Sequence, residues 1–262
     1  MELRPTIDRL WLEEAARDDP LPHAYALWDL LRLPGSVRFV SAVEGGRTVG
    51  YLLLWLGRPE RPVVHWVGDA RRSAALVHRF PAPPFVAVVP REGAEALRAL
   101  YPHARASPLL LLWRERGSLG PTDPEGIVRR LGRPDRAELR AWSLRGDEHE
   151  RPDYALIDPA EEPIWGAYEN GILVGVTRAA VRLPRVWIVA GVYVDREVRG
   201  HGLSRRLVGA LIDEAERAQA PTGLFVREDA EAARHVYSGL GFRTVGRRLW
   251  IEVPPAARPP TA

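Results

Sequence analysis

The fold of this chain is decided by the stretch from residue 191 to residue 204, which reads Gly-Val-Tyr-Val-Asp-Arg-Glu-Val-Arg-Gly-His-Gly-Leu-Ser. It starts as an apolar strand and passes through a turn rich in arginine and glycine. Apolar residues then recur at helical spacing over residues 203–218. Backbone N–H groups in the first turn of a helix lack intrahelical acceptors, and the helix dipole is positive there. The stretch therefore predicts a diphosphate site at a helix N-terminus, with Gly200 and Gly202 letting the backbone come close.

A glycine-rich turn can also be no more than the start of a helix, and a lone Gly-x-Gly would favour neither explanation. Here the turn follows an apolar strand and precedes an amphipathic helix, which favours the anion site. The spacing is neither the Gly-x-Gly-x-x-Gly of dinucleotide-binding folds nor the Gly-Lys-Ser/Thr ending of the P-loop.

The sequence also repeats itself. Residues 42–50 match residues 167–175, which lie 125 positions later, and alanine, glutamate, glycine and valine recur in the same order. The centres of the two segments, Gly45-Gly46 and Asn170-Gly171, are two-residue turns that accept positive φ. Each copy is therefore predicted to contain a β-hairpin.

A second pair of matching segments, residues 91–101 and 227–237, is identical at seven of eleven positions and lies 136 positions apart. The spacing thus grows by about eleven residues between the two pairs. In the second copy, this interval holds the glycine-rich turn and a long helix, whereas in the first copy it holds residues 68–73 and a shorter apolar helix. We expect a duplicated domain in which only the second copy carries the anion-binding turn.

Turn-forming residues at 117–124 separate the copies and predict domains at residues 1–122 and 123–262. After this boundary, residues 127–131 are predicted to form a strand, and Asp135 is predicted to cap a helix running to about Leu144. The proline-rich segment at residues 254–262 is predicted to be disordered.

The composition restricts the class of protein. No apolar run approaches the ~20 residues that span a bilayer, and no hydrophobic signal core follows Met1, so we expect a cytoplasmic protein without a membrane partner. All 37 basic residues are arginines interleaved with acids, which favours a solvated surface over a nucleic-acid groove. Cysteine is absent and the seven histidines are scattered, so the sequence predicts no metal site and no thiolate nucleophile.

Residues 192–204 resemble the acetyl-CoA motif of the GNAT superfamily of N-acetyltransferases. Residues 233–242, Ala-Arg-His-Val-Tyr-Ser-Gly-Leu-Gly-Phe, resemble its second motif, a helix ending in Tyr-x-x-x-Gly-Phe. The resemblance covers about residues 125–253. It implies an α/β (α+β) fold with two tandem GNAT-like domains, each a mixed, mostly antiparallel sheet flanked by helices. The N-terminal copy would be degenerate, in an architecture similar to that of mycothiol synthase.

The same resemblance implies how acetyl-CoA would bind. The sheet would splay so that the pantetheine arm pairs with the backbone of one strand, while the following turn holds the pyrophosphate. The implied cofactor-binding residues are Val192, Tyr193, Val194, Arg199, Gly200, His201, Gly202, Leu203, Ser204 and Arg205. One departure is that Asp229-Ala230 stands where the family usually has an asparagine contacting the CoA arm.

Acyl transfer from a thioester to an amine is helped by an acid for the leaving thiolate and a base for the amine. Tyr237, placed by the second motif, is the candidate acid, because a phenol near pKa 10 can protonate a thiolate near pKa 8.5. Its counterpart Tyr101, in the copy without the turn, shows that the position also suits a core aromatic. Glu228 is the candidate base, with a water chain or a less basic amine as the alternative; His201 and His235 have suitable chemistry but less suitable positions.

The sequence therefore predicts an N-acyltransferase that moves an acetyl group from acetyl-CoA directly to a primary amine of a small molecule or peptide. A non-catalytic acyl-CoA-binding or sensing protein is the alternative, because no base is evident. An interaction module whose turn binds another anion is a further alternative. The expected partners are acyl-CoA and an amine acceptor, and a homodimer is compatible with the sequence.

Overall fold

The computed structural model describes residues 1–58, 60–120, 122–123, 125–145, 154 and 157–255. Its strands are β1 Glu2–Arg4, β2 Val37–Glu44, β3 Arg47–Trp55, β4 Val63–Gly68, β5 Phe85–Val89, β6 Arg105–Arg114, β7 Val128–Arg130, β8 Ile164–Glu169, β9 Ile172–Leu183, β10 Val186–Val194, β11 Thr222–Arg227 and β12 Arg243–Val253. Its helices are α1 Arg9–Asp18, α2 Pro20–Arg32, α3 Arg91–Leu100, α4 Arg136–Ser143, α5 Leu203–Arg217 and α6 Glu231–Gly239. None of the helices in this part of the chain combines the length and the apolar character needed to cross a membrane. Residues 256–262 of the predicted disordered tail lie outside the described residues.

The chain divides into two compact units. The first comprises residues 1–111, residues 226–229 and the end of the chain from residue 245; the second comprises residues 112–225 and 230–244. The predicted division between residues 122 and 123 concerns the duplicated halves of the sequence, and it stays a prediction.

In the first unit, the strands lie in the order β1-β2-β3-β4-β5-β12-β6. Strands β1 to β4 form antiparallel pairs in chain order, and β5 then lies parallel to β4. The next place belongs to β12, whose residues 249–253 pair antiparallel with residues 85–89 of β5. This sheet therefore includes a strand from the far end of the described chain.

Strand β3 shows how the first sheet is buried on both faces. Leu52 and Leu54 join one core cluster, which also contains Phe85 of β5 and residues of α3. Their neighbours Tyr51 and Leu53 point to the opposite face and join a second cluster with residues of α1 and α2. Successive side chains of a strand alternate between faces, so this apolar run is buried against helices on both sides.

In the second unit, the strands lie in the order β11-β10-β9-β8-β7. Neighbours from β7 to β10 are antiparallel, and β11 is parallel to β10. Gly175 of β9 faces Leu207 of α5, while the next residue, Val176, joins the core cluster that contains residues of α4. The predicted fold class, mixed and mostly antiparallel sheets flanked by helices, is confirmed.

Local predictions about the repeat are also confirmed. Gly45 and Gly46 have φ of 55° and 76°, and Asn170 and Gly171 have φ of 51° and 77°, so both hairpins turn through two residues with positive φ. Residues 69–84 separate β4 from β5, whereas residues 195–221 separate β10 from β11. The second interval is eleven residues longer and contains α5.

The predicted bounds of α4 are confirmed, because Asp135 occupies its N-cap position and Leu144 its C-cap position, but the predicted capping bond is not formed. Asp135 precedes α4, but its carboxylate makes no capping bond to that helix. It instead accepts hydrogen bonds from the Gly132 backbone N–H at 2.7 Å and from the Arg129 guanidinium at 2.8 Å and 2.9 Å. Asp135 therefore closes the preceding 3₁₀ turn, because the chain turns there before α4 begins.

Candidate active site

The pairing between strands β10 and β11 ends part of the way along β10, within the second unit. Their parallel pairing joins residues 187–189 to residues 222–224. On its other side, β10 stays paired with β9 as far as Val194, which lies opposite Gly175. The part of β10 beyond Val189 thus has an edge that β11 does not cover in the described pairing. Splayed strands of this kind leave backbone groups available to an extended ligand.

A cleft of about 490 Å³ lies at this opening. It is lined by the end of β10, the glycine-rich turn, the start of α5 and one face of α6: Val192, Tyr193, Val194, Val198, Arg199, Gly200, Gly202, Leu203, Ser204, Ala232, Ala233, His235, Val236 and Tyr237. Eight of the ten predicted cofactor-binding residues are in this set. The other two, His201 and Arg205, do not line the cleft.

The glycine-rich turn gives α5 an uncapped start. Gly200 and Gly202 have φ of 90° and 75°, a region that side chains with a Cβ rarely adopt. A Cβ at either position would meet no atom of the described residues within 4 Å, so the glycines are needed for the direction of the backbone and leave open space beside it. Gly202 occupies the N-cap position, and no side-chain capping bond is formed there by the described residues. The first-turn N–H groups are therefore arranged to receive an anion.

Three arginines near the turn are engaged with protein groups. The Nε of Arg199 donates to the Val194 carbonyl at 3.0 Å, and its guanidinium lies 5.3 Å from the centre of the Tyr193 ring. Arg205 donates to the Gly239 carbonyl at the end of α6, at 2.7 Å. Arg206, on the first turn of α5, pairs with Asp123 and Glu125, which precede β7. In this arrangement, the arginines hold the elements that form the cleft.

Tyr237 lies on α6 and lines the cleft with a side chain that is 8% exposed. Its ring packs edge-on against Phe242, with the ring centroids 5.9 Å apart. Among the described residues, its hydroxyl has no hydrogen-bond partner. Burial raises the pKa of Tyr237 to about 12, because the phenolate would lose hydration. The phenol is therefore neutral and able to donate at physiological pH.

The structure does not bring Glu228 into this cleft. Glu228 belongs to the first unit, where its carboxylate lies 3.1 Å from Arg247 and its backbone N–H donates to the Pro108 carbonyl at 2.9 Å. No aspartate or glutamate is present among the described residues that line the cleft. The described part of the cleft thus contains the candidate acid and the predicted anion-binding turn, but no carboxylate base.

Sequence reasoning missed several cleft residues on α6. Ala232, Ala233 and Val236 line it together with Tyr237 and the exposed His235. The signal was present in the sequence, because positions 232, 233, 236 and 237 follow the i, i+4 spacing of one helical face. Small residues at the first two positions leave room for a ligand between this helix and β10.

Comparisons with known proteins agree with this geometry. Residues 133–242 match the Acetyltransferase (GNAT) family. The N-alpha-acetyltransferase RimI of Mycobacterium tuberculosis is 34% identical over 118 residues, which cover 43% of this chain and 73% of that protein.

Solved structures show the same fold over nearly the whole chain. A Drosophila protein superposes with a TM-score of 0.70 at 13% identity, covering 97% of this chain and 98% of that one. A tandem GNAT protein from the clavulanic acid biosynthesis pathway superposes with a TM-score of 0.58 at 18% identity, covering 97% and 100%. The chain belongs to the GNAT acetyltransferase family and is an acyltransferase.

Proposed function

We propose that this protein transfers an acetyl group from acetyl-CoA to a primary amine of a small molecule or a peptide. The observation that carries the proposal is the cleft where β10 parts from β11, since the uncapped start of α5 lies in the same cleft. An open strand edge suits the amide groups of a pantetheine arm, and a helix N-terminus suits a diphosphate. The open edge of β10 and the N-terminus of α5 both lie within the second unit.

The residues present fit acetyl-CoA, which supplies the activated acetyl group when bound. The backbone of Val192 and Val194 would hold the pantetheine arm, and the amides from Gly200 to Ser204 would hold the pyrophosphate. Tyr237 would donate a hydrogen bond to the leaving sulfur. Its raised pKa keeps the phenol protonated for this role, although it also makes full proton transfer to a thiolate less favourable.

The amine must lose a proton, and the lining residues that the structure describes include no carboxylate to accept it. An alkylamine with a pKa near 10.4 is mostly protonated at neutral pH, so an unassisted loss costs roughly 4–5 kcal/mol. A water chain, or an acceptor with a less basic amine, would lower this cost. An α-amino group, with a pKa near 8, meets the second condition. The 34% identity to an N-alpha-acetyltransferase supports testing such acceptors first. Glu228 stays a proposed base, and the water chain and the less basic amine are its alternatives.

A thermal-shift titration tests acetyl-CoA binding. We expect acetyl-CoA to raise the Tm of the wild-type protein and of Gly46→Glu, but not that of Gly202→Glu. Gly46 is a matched control, because its φ of 76° is close to the 75° of Gly202 and a Cβ at either position would have no described neighbour within 4 Å. Both variants should therefore suffer similar backbone strain. No shift of the wild-type Tm at millimolar acetyl-CoA would contradict the proposal.

A non-catalytic acyl-CoA sensor is the second candidate, and the absence of a carboxylate among the described cleft residues favours it. Release of free CoA distinguishes the two functions. Wild-type protein should release CoA with at least one amine in a panel of peptides with free α-amino groups and small primary amines. Tight binding of acetyl-CoA without CoA release on any amine would instead support the sensor.

A further inference from the structure

The end of β10 contains a bulge just before the residues that line the cleft. Ala190 lies opposite Arg178 of β9, and Tyr193 lies opposite Val176, so β10 advances three residues while β9 advances two. Gly191, inside this interval, has a φ of 61°. A bulge changes the direction of a strand and removes its carbonyls from the regular ladder. The bulge therefore sets how the edge at residues 192–194 enters the cleft.

Side-chain hydroxyl groups contact the carbonyl of Gly191 and that of Ala190, the residue before it. The Tyr154 hydroxyl donates to the Gly191 carbonyl at 2.9 Å. The Thr177 hydroxyl lies 3.4 Å from the Ala190 carbonyl. These contacts occur just beyond Val189, where the described pairing with β11 ends. These hydroxyl groups thus contact the backbone of β10 in the part that is no longer paired with β11.

Tyr154 is itself buried and packed against its neighbours. Its side chain is 1% exposed and packs edge-on against Trp142, with the ring centroids 6.1 Å apart. Its backbone N–H donates to the Ser143 hydroxyl at 2.9 Å, next to the end of α4. Burial also raises the pKa of Tyr154, so its hydroxyl stays a donor. Trp142 contacts Tyr193 as well, at 5.8 Å between centroids, so one aromatic cluster supports both the bulge and a residue of the cleft.

The fit between Tyr154 and the bulge is close. A Cβ built on Gly191 would lie 2.3 Å from the Tyr154 hydroxyl oxygen, far inside van der Waals contact. The positive φ of Gly191 and the position of the hydroxyl therefore require glycine for two independent reasons.

We infer that Tyr154 is a positioning residue, whose hydroxyl fixes the Gly191 carbonyl and thereby the direction of the β10 edge at residues 192–194. This inference rests on the proposed function, since the ligand of that edge would be the pantetheine arm of acetyl-CoA. Tyr154 does not line the cleft and acts through the backbone of β10. Its loss should therefore affect the arm of the ligand and spare the nucleotide end.

The test compares two ligands on the Tyr154→Phe variant of the full chain. Acetyl-CoA contains the pantetheine arm, whereas 3′-phospho-ADP has the nucleotide and diphosphate of CoA without that arm. We expect Tyr154→Phe to raise the Kd for acetyl-CoA about tenfold, the effect of losing one positioned hydrogen bond and the order it imposes. The Kd for 3′-phospho-ADP should change less than twofold.

Tyr168→Phe is the matched control. Its hydroxyl also makes two hydrogen bonds in the second unit, accepting from Arg129 at 2.7 Å and donating to Glu138 at 2.8 Å, but Tyr168 does not line the cleft. Both Kd values should stay unchanged in this variant. Equal weakening of both ligands by Tyr154→Phe, or no weakening of either, would overturn the inference.

If Tyr154→Phe folds too poorly for titration, Gly191→Ala tests the same contact by changing the backbone residue instead of the tyrosine. We again expect weaker binding of acetyl-CoA and unchanged binding of 3′-phospho-ADP. Equal loss of both ligands in that variant would overturn the positioning role. The two proposals fail differently. Wild-type protein that binds neither ligand contradicts the acetyl-CoA proposal, whereas a wild type that binds both, with an unchanged ratio in the variants, contradicts only the role of Tyr154.

Discussion

Tyr237 and Tyr101 occupy matching positions in the two copies of the repeat, and of the two only Tyr237 lines the cleft. This pair allows a controlled test of the candidate acid. We expect Tyr237→Phe to lower kcat by about 100-fold, at the lower end of the range for general acid catalysis, and to change the KM for acetyl-CoA less than twofold. Tyr101→Phe should leave both constants unchanged. Steady-state kinetics with a responsive amine measures this, and an unaffected kcat in Tyr237→Phe would rule out the role.

The pH dependence gives a second test at the same residue. Because burial raises the pKa of Tyr237 to about 12, the phenol is expected to stay neutral throughout the usual assay range. Its ionisation should therefore cause no loss of kcat between about pH 8 and pH 10, and Tyr237→Phe should lower the profile without changing its shape. If kcat of the wild type fell as the pH rose towards 10, and this fall were absent in Tyr237→Phe, the expectation would be contradicted.

Single residues also show where sequence reasoning reached its limit. The positive φ of Gly200 and Gly202 was predictable, because glycine-rich turns that begin helices adopt such conformations locally. The partners of Arg199 and Arg205 were not, because they are the carbonyls of Val194 and Gly239. Tertiary folding brings Gly239 close to Arg205. A backbone carbonyl has no sequence pattern of its own, so it could not be predicted as the acceptor.

At the scale of elements, Arg114 joins several segments of the second unit at the end of β6. Its guanidinium donates to the Leu240 carbonyl after α6 at 3.0 Å, to Glu216 of α5 at 2.6 Å, and to the Gly117 carbonyl. The side chain is only 6% exposed. A buried guanidinium with this many acceptors leaves several of them unsatisfied when it is removed.

We therefore expect Arg114→Leu to destabilise the protein by about 3–5 kcal/mol, which is the usual cost of breaking a buried ion pair from one side. Arg243→Leu is the control. It breaks the 3.2 Å pair between Arg243 and Glu115, whose side chains are 68% and 64% exposed, and should cost less than about 1 kcal/mol. Thermal unfolding of both variants measures the difference. A similar Tm for the two would show that the Arg114 contacts contribute little.

Elements differed in how well the sequence predicted them. The hairpins at Gly45-Gly46 and Asn170-Gly171 followed from local turn chemistry. The bulge at Gly191 did not, because a bulge depends on the register with β9, and register is a property of two strands. Tyr154, which contacts the bulge, lies 37 positions away in the sequence and carries no motif that would point to it.

At the scale of the whole molecule, two histidines make stability depend on pH. Burial lowers the pKa of His23 and of His65 to about 4. In the unfolded chain, each pKa returns to about 6.5, so the unfolded state binds more protons between about pH 4 and pH 6.5. The stabilisation is therefore complete above about pH 6.5 and is lost as pH falls towards 4, with a limit of about 3 kcal/mol for each histidine.

Melting curves between pH 7.5 and pH 4.5 test this effect. The Tm of the wild type should fall with pH, and His65→Leu should reduce the fall by removing one of the two protonation sites. His103→Leu is the control, because His103 is exposed and its replacement should leave the pH dependence unchanged. An equal fall in all three proteins would show that other groups cause it.

The repeat predicted two copies of one fold, but not which sheet each strand joins. Residues 112–115, Leu-Trp-Arg-Glu, also match residues 249–252, Leu-Trp-Ile-Glu, which indicates equivalent strands in the two copies. This match did not indicate that residues 249–253 pair with β5 of the first unit, since sequence similarity identifies an element and says nothing of its neighbour. Contact partners far apart in the chain are the part of a fold that patterns reveal least.

The pairing of β12 with β5 also has a consequence for how the chain folds during synthesis. Leu249 pairs with Val89, 160 positions earlier. Most of the first unit is therefore synthesised early, but β12, which completes its sheet, is synthesised last. Until then, the edge of β5 lacks this partner and is open to other chains. Closing such a distant pair is slow, since the intervening loop entropy must be lost first. A nascent chain stalled near residue 122 should therefore need a chaperone to stay monomeric.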